Sequence, residues 1–207
     1  MIMLTHMEYL VPVIIALTTS VFGPILVEWV KKRVINKKDN DPLKDAIAHN
    51  EIIEQQLDTM MNELECDQIY IVQFHNGGHF YPTGKSIQKF SVFYEVNTPE
   101  TTPLKNTYQN IPTSLFSKIL SALYENGEVH IEDMSLGNPY NLESFCQDNM
   151  AKSVYVFTIK DLDDRIIGVM GINFIQKKHK FVKDEWIFIR QKIGAIGNLM
   201  SNYLKQK

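Results

Sequence analysis

The chain has 207 residues, 21 basic and 24 acidic side chains, a formal net charge of −3 and a mean hydropathy of −0.16. Residues 1–38 hold five of the basic and two of the acidic groups, so the remainder is acidic and has no basic stripe, which argues against nucleic acid as a partner. Two cysteines, Cys66 and Cys146, are too few for a disulfide framework, form no CxxC zinc pair and fit either a reducing compartment or a single bridge in an oxidising one.

The first element is an uncharged run of nineteen residues, Tyr9 to Val27, followed by Lys31, Lys32, Arg33, Lys37 and Lys38. At ~1.5 Å per residue, a helix of this length covers roughly 28 Å, the thickness of a bilayer's hydrocarbon core. A cleaved signal peptide would need cations before the run and small residues after it, but the first charge is Glu8, and Trp29 and lysines follow. Pro12, Gly23 and Pro24 suit a soluble core helix poorly, and an interfacial helix would carry charge along one face. The run is therefore expected to be a single transmembrane helix. The cations all lie C-terminal to it, which places the domain that follows in the cytoplasm and Trp29 at the interface.

A polar linker ending at Pro42 leads into helical spacing from Leu43 to Glu65, with apolar residues at Leu43, Ala46, Ile47, Ile53, Leu57, Met60, Met61 and Leu64. Gln68 to His75 is an apolar strand closed by the turn signal Asn76-Gly77-Gly78. A second strand, Ser86 to Val96, is expected to put Phe90, Val92, Tyr94 and Val96 on one face. Residues 97–112 form a loop broken by Pro99, Pro103 and Pro112. A helix from Ser114 to Glu125 stops at Asn126-Gly127. A short strand (Glu128 to Asp133) and a short helix (Asn141 to Met150) precede a hairpin, Ser153 to Lys160 and Arg165 to Gln176, turning at Asp161–Asp164. A long helix, Lys183 to Leu204, closes the chain. Its apolar stripe runs through Trp186, Ile189, Ile193, Ile196, Met200 and Tyr203. The fold class is α+β, an antiparallel central sheet with flanking helices, preceded by one transmembrane helix. Two segments result: residues 1–38, the span and its basic flank, and residues 43–207, the globular domain.

This order resembles the GAF/PAS class of sensory domains. The likeness is carried by the helix into Gln68–His75, the Asn76-Gly77-Gly78 turn and the closing block from Val154 to Leu204. In that block, Gly168-Val-Met-Gly-Ile172 runs into an amphipathic helix. The resemblance implies N- and C-terminal helices on one side of the sheet and a ligand cavity on the other. A fainter resemblance is to the one-span holins of large tailed phages, whose soluble domain lies outside the cytoplasmic membrane. The basic cluster here points to the opposite side.

The segment His75-Asn-Gly-Gly-His79 with Phe80 and Tyr81 reads either as a ligand loop of glycine N–H groups, imidazoles and aromatic faces, or as a strand-ending turn. Zinc would need His75 and His79 joined by His130, Asp133 or Cys146, and the glycines between the histidines oppose a helical ligand pair. Neither HExxH, GxSxG nor a phosphate-binding loop is present. Gly168 and Gly171 read as close-packing positions within a strand. Glu95, at a strand end, faces either solvent or a cavity. The expected pocket residues are His75, Asn76, Gly77, Gly78, Phe80 and Tyr94, with His130 and Asp133 opposite. No catalytic residue, metal or cofactor is assigned.

Leu43, Asn50, Leu57 and Leu64 recur every seven residues, with Ala46, Ile53 and Met60 three positions on. The pattern reads as a parallel homodimer seam, Leu43 to Leu64 together with the C-terminal helix, in which Asn50 fixes the register, or as a stripe covering the domain's own sheet. The expected molecule is a single-pass membrane protein whose GAF-like domain binds a small ligand or partner protein, works as a homodimer and is not an enzyme. The alternative is a holin-type protein whose span forms lesions under the control of the domain.

Overall fold

Strand alternation decides which layer each side chain of this protein serves. The structure, a computed structural model, describes residues 22–35, 41–76, 89–140, 142 and 150–205. Its contacts divide the chain into two units, residues 1–46 and 47–207.

In the first unit, α1 runs Gly23–Ile35. Residues 9–21 of the expected span lie outside the described residues. Among the described residues, no helix is long and apolar enough to cross a membrane. The next helix, α2 (Pro42–Leu64), starts where Asp41 Oδ1 accepts hydrogen bonds from Leu43 N (3.0 Å) and Lys44 N (3.4 Å), with proline at its first position.

The domain that follows contains β1 (Gln68–His75), β2 (Lys89–Asn97), the two-residue β3 (Ile111–Pro112), α3 (Ser117–Asn126), β4 (Glu128–Ile131), β5 (Ser153–Lys160), β6 (Ile166–Phe174) and α4 (Lys183–Lys205). The strands form one six-stranded sheet in the order β3-β2-β1-β6-β5-β4, every pair antiparallel. The α+β expectation and the hairpin hold. The expected helix Asn141 to Met150 falls, apart from Leu142 and Met150, outside the described residues.

Every residue of β1 is buried, so both faces of the sheet are covered. One face carries Ile69, Ile71, Tyr155, Phe157, Ile159, Met170, Ile172 and Phe174. They pack against Ile53, Leu57, Met60 and Leu64 of α2 and Ile189, Ile196 and Met200 of α4. Each such fully buried side chain contributes about 1.5–3 kcal/mol relative to leaving it exposed. The other face carries Tyr70, Val72, Phe74, Phe90, Val92, Val154, Val156 and Val169, covered by Ile119 and Leu123 of α3 together with Leu104, Tyr108 and Leu142.

The expectation for β2 needs correction. Ile71 pairs with Tyr94, but Val72 pairs with Val92, so Phe93 is an inserted bulge residue. The bulge reverses the alternation. Phe90 and Val92 face α3, whereas Tyr94 and Val96 face α2 and α4.

The heptad residues Ile53, Leu57, Met60 and Leu64 are spent on the domain's own core, at 2% exposure or less. Asn50 is likewise engaged, its Oδ1 accepting a hydrogen bond from Tyr94 OH at 2.9 Å. Ile47 and Ile52 are the large apolar residues that α2 leaves exposed within this unit.

Candidate functional site

The α3 face of the sheet encloses open space, for reasons that can be followed residue by residue. α3 is pinned at both ends. At its start, β3 pairs with β2 (Pro112 with Lys89, Ile111 with Phe90), and a 3₁₀ turn, Thr113–Phe116, leads into the helix. At its end, Gly127 adopts φ +78, a left-handed cap that suits glycine, and its N–H donates to Leu123 O at 2.9 Å. Gly127 O then accepts from Thr158 N (2.8 Å) and Thr158 Oγ1 (2.9 Å), which ties the helix end to β5.

Beneath the helix lies a chamber of about 220 Å³, walled by Phe74, Leu120, Leu123, Ile166 and Val169. Thr113 and Tyr124 also line it, and Tyr124 is 81% exposed. A smaller space of about 60 Å³ adjoins it, sharing Phe74, Leu120, Leu123 and Val169 and reaching Tyr70, Val72 and Val156. Outside, an open vestibule is lined by Thr113, Ser114, Ser117, Leu120, Ser121, Tyr124 and Glu125. Among the described residues the lining is carbon and hydroxyl, with Glu125 the one charged group.

Among the described residues, those singled out from sequence, His75, Asn76, Tyr94, His130 and Asp133, are not among the residues that line this chamber. His75 ends β1 and is buried, with Nε2 2.8 Å from Ser91 Oγ, which also accepts Asn110 N–H at 2.9 Å. Burial and then the Lys89 charge push its imidazole pKa down. Asn76 follows it, exposed, at the edge of the described segment. Gly77, Gly78 and Phe80 lie outside the described residues, as do His79 and Cys146.

Tyr94 sits on the opposite face of the sheet from the chamber, and burial pushes its phenol up to about 12. His130 is exposed on β4, its ring 5.8 Å from Trp186 of α4. Val129 and Ile131, its neighbours, are the residues that turn toward the α3 side. Asp133 caps the turn after β4, accepting from Ser135 N (2.9 Å) and Ser135 Oγ (2.6 Å) and pairing with Lys178. These hydrogen bonds, Lys178 first, hold its carboxyl down at about 2.

Glu95 has a structural task. Oε1 accepts from Gln68 Nε2 (2.8 Å) and Leu104 N (2.7 Å), and Oε2 from Lys105 N (2.7 Å), so the carboxylate fastens the 98–110 loop to the sheet. Asn173 Nδ2 extends this chain by donating to Gln68 Oε1 at 2.7 Å. Gly171 leaves room for Tyr70, as its place inside a strand suggested. The buried Cys66 thiol is pushed up to about 12, by burial first and then by Asp67. Among the described residues no three His, Cys, Asp or Glu side chains cluster to hold a metal.

The chamber residues Phe74, Leu120, Leu123 and Val169 carry no polar signature and were missed in the sequence. The available signal was β1 itself, apolar at both alternating sets, which requires a second covering layer.

No protein-family model matches the sequence, and no curated protein matches it. Solved structures do share the fold. A far-red cyanobacteriochrome photoreceptor superposes with a TM-score of 0.58 at 13% identity, over 82% of this chain and 94% of its own. A GAF domain from Synechocystis sp. PCC6803, in its photoproduct state, gives 0.59 at 13% identity over 74% and 94%. A GAF domain/HD domain protein from Geobacter sulfurreducens gives 0.55 at 11% identity over 76% and 94%. At these identities the likeness is one of fold, and the fold of this domain is GAF-like.

Proposed function

We propose that this protein is a membrane-anchored, non-catalytic sensory module whose GAF-like domain binds a small ligand beneath α3 and passes its state on through self-association. The observation that carries the reading is the chamber of about 220 Å³ between the sheet and a helix pinned at both ends. A largely preformed concave space walled by apolar side chains with a few hydroxyls at its mouth is the usual form of a small-molecule site. The photoreceptor among the structures of like fold is itself a sensor.

The anchoring rests on the uncharged run Tyr9 to Val27 and the cations after it, which favour a cytoplasmic domain. Phe22, just before α1, and Ile25, Leu26, Val27 and Trp29 within it each expose more than half their surface, as side chains destined for lipid or a partner would. Self-association is assigned to α2 and α4, which leave Ile47, Ile52 and Ile187 43–50% exposed.

The test uses the full chain and a variant lacking residues 1–38, both expressed in bacteria. The sensor reading predicts membrane fractionation that depends on residues 1–38, an unchanged membrane potential, and a dimer fraction altered by filling the chamber with Leu120→Phe. Rapid span-dependent loss of membrane potential would overturn it in favour of a holin-type effector.

A further inference from the structure

We infer that the ligand is a small amphiphile with an apolar body and a head that donates hydrogen bonds, neutral or cationic in preference to anionic. This rests on the reading of the chamber as a ligand site. Among the described residues, the inner wall is hydrocarbon from Phe74, Leu120, Leu123, Ile166 and Val169. The Thr158 hydroxyl beside them is committed to Gly127 O. A charged group placed there would lose its hydration without a partner.

Polarity begins at the mouth. Thr113 and Tyr124 line both the chamber and the vestibule, so they mark where an apolar body would give way to a polar head. Along the vestibule, Ser117, Ser121 and Glu125 recur every four residues, on one face of α3. The hydroxyls of the vestibule can donate or accept, so its sign is set by Glu125, an acceptor-only carboxylate in the last turn of a ten-residue helix, the end whose dipole is negative. Both features favour a donor head and oppose a carboxylate or phosphate. Lys118, the one cation of α3, is not among the lining residues. Size points the same way, since about 220 Å³ falls below the roughly 300–1,000 Å³ of pockets for drug-sized ligands.

The experiment titrates the full chain, in lipid nanodiscs, with n-alkan-1-ols, n-alkylammonium ions and n-alkanoates of six to ten carbons. The methyl resonances of Leu120, Leu123 and Val169 are followed, with partition into empty nanodiscs subtracted. Octanol and octylammonium are expected to shift these methyls. Affinity should rise roughly fourfold per methylene until the chamber is full. Octanoate should bind at least tenfold more weakly than octanol, and Glu125→Gln should weaken octylammonium while leaving octanol unchanged. Octanoate binding as tightly as octanol overturns the inference. So does silence of the alcohol and ammonium series while cyclic AMP, included as an anionic control, shifts the same methyls; the chamber then remains a ligand site of another class. Silence toward every probe, with an unchanged dimer fraction in Leu120→Phe, overturns both the inference and the ligand-site reading.

Discussion

Tyr70 lies across Gly171: a Cβ built on Gly171 would fall 2.0 Å from the tyrosine's Cζ and 2.2 Å from its hydroxyl oxygen. The two residues are paired neighbours on β1 and β6, on the face that α3 covers, and the Tyr70 ring is only 4% exposed. The ring fills the floor of that layer, and the open chamber begins beside it, where Val169 rather than an aromatic side chain faces Leu120 and Leu123.

Gly171→Ala should therefore destabilise the domain by about 1–3 kcal/mol through overpacking. Denaturant unfolding of Gly171→Ala, Tyr70→Leu and the double variant checks this. The account expects the double variant to be more stable than the sum of the two single losses, because removing the ring removes the clash.

Two glycines of α4 should respond in opposite directions to the same change. A Cβ at Gly197 would meet the Lys160 carbonyl oxygen at 2.4 Å, whereas one at Gly194 meets nothing within 4 Å. Gly194→Ala should stabilise the helix by about 0.5–1 kcal/mol, and Gly197→Ala should cost about 1–3 kcal/mol by pushing α4 off the end of β5. Thermal unfolding of the two variants, measured together, checks the contrast.

Removing the Glu95 carboxylate leaves the Leu104 and Lys105 amides without their acceptor and takes one of two acceptors from Gln68 Nε2, which also donates to Thr102 O at 3.2 Å. Hydrogen bonds to a charged group contribute about 1.5–3 kcal/mol, so Glu95→Ala should cost about that much. The loss should be local as well as global, with faster amide hydrogen exchange at Leu104 and Lys105 than elsewhere in the domain.

Asp133 carries a pH signature. Its carboxyl is held at about 2, below the ordinary 3.8, by Lys178 first and then by Ser135. A depressed folded-state pKa means that the unfolded chain binds the proton more readily, so this contribution is present above about pH 3.8 and is lost as pH falls through 2. Lys178→Met should move the Asp133 titration, followed by its carboxyl carbon shift, up toward 3.8. It should also flatten the fall in stability between pH 4 and 2.

Much of the fold was legible because buried strands and amphipathic helices leave strong periodic signals. The hairpin strand Ser153–Lys160 and the start of the closing helix at Lys183 coincide with their sequence boundaries. What escaped was the inserted Phe93, since an extra residue in a strand of Phe, Val and Tyr changes no composition but turns Tyr94 to the opposite face of the sheet. The resemblance pointed to a cavity on this side of the sheet, but the residues that line the chamber escaped for a related reason. Unfilled space is set by how far α3 stands from Val169 and Phe74, and that depends on β3 and the Gly127 cap together. The heptad of α2 was visible, but the sequence alone left open whether the domain's own sheet or a second copy covers it. Ile53, Leu57 and Met60 are taken by the sheet.

The central claim is that the chamber beneath α3 is where this protein meets its ligand. Methyl chemical-shift mapping of the full chain with n-octanol tests it most directly. The account predicts saturable shifts at Leu120, Leu123 and Val169, abolished in Leu120→Phe. Shifts confined to the surroundings of His75 and Asn76, or unchanged by Leu120→Phe, would contradict it.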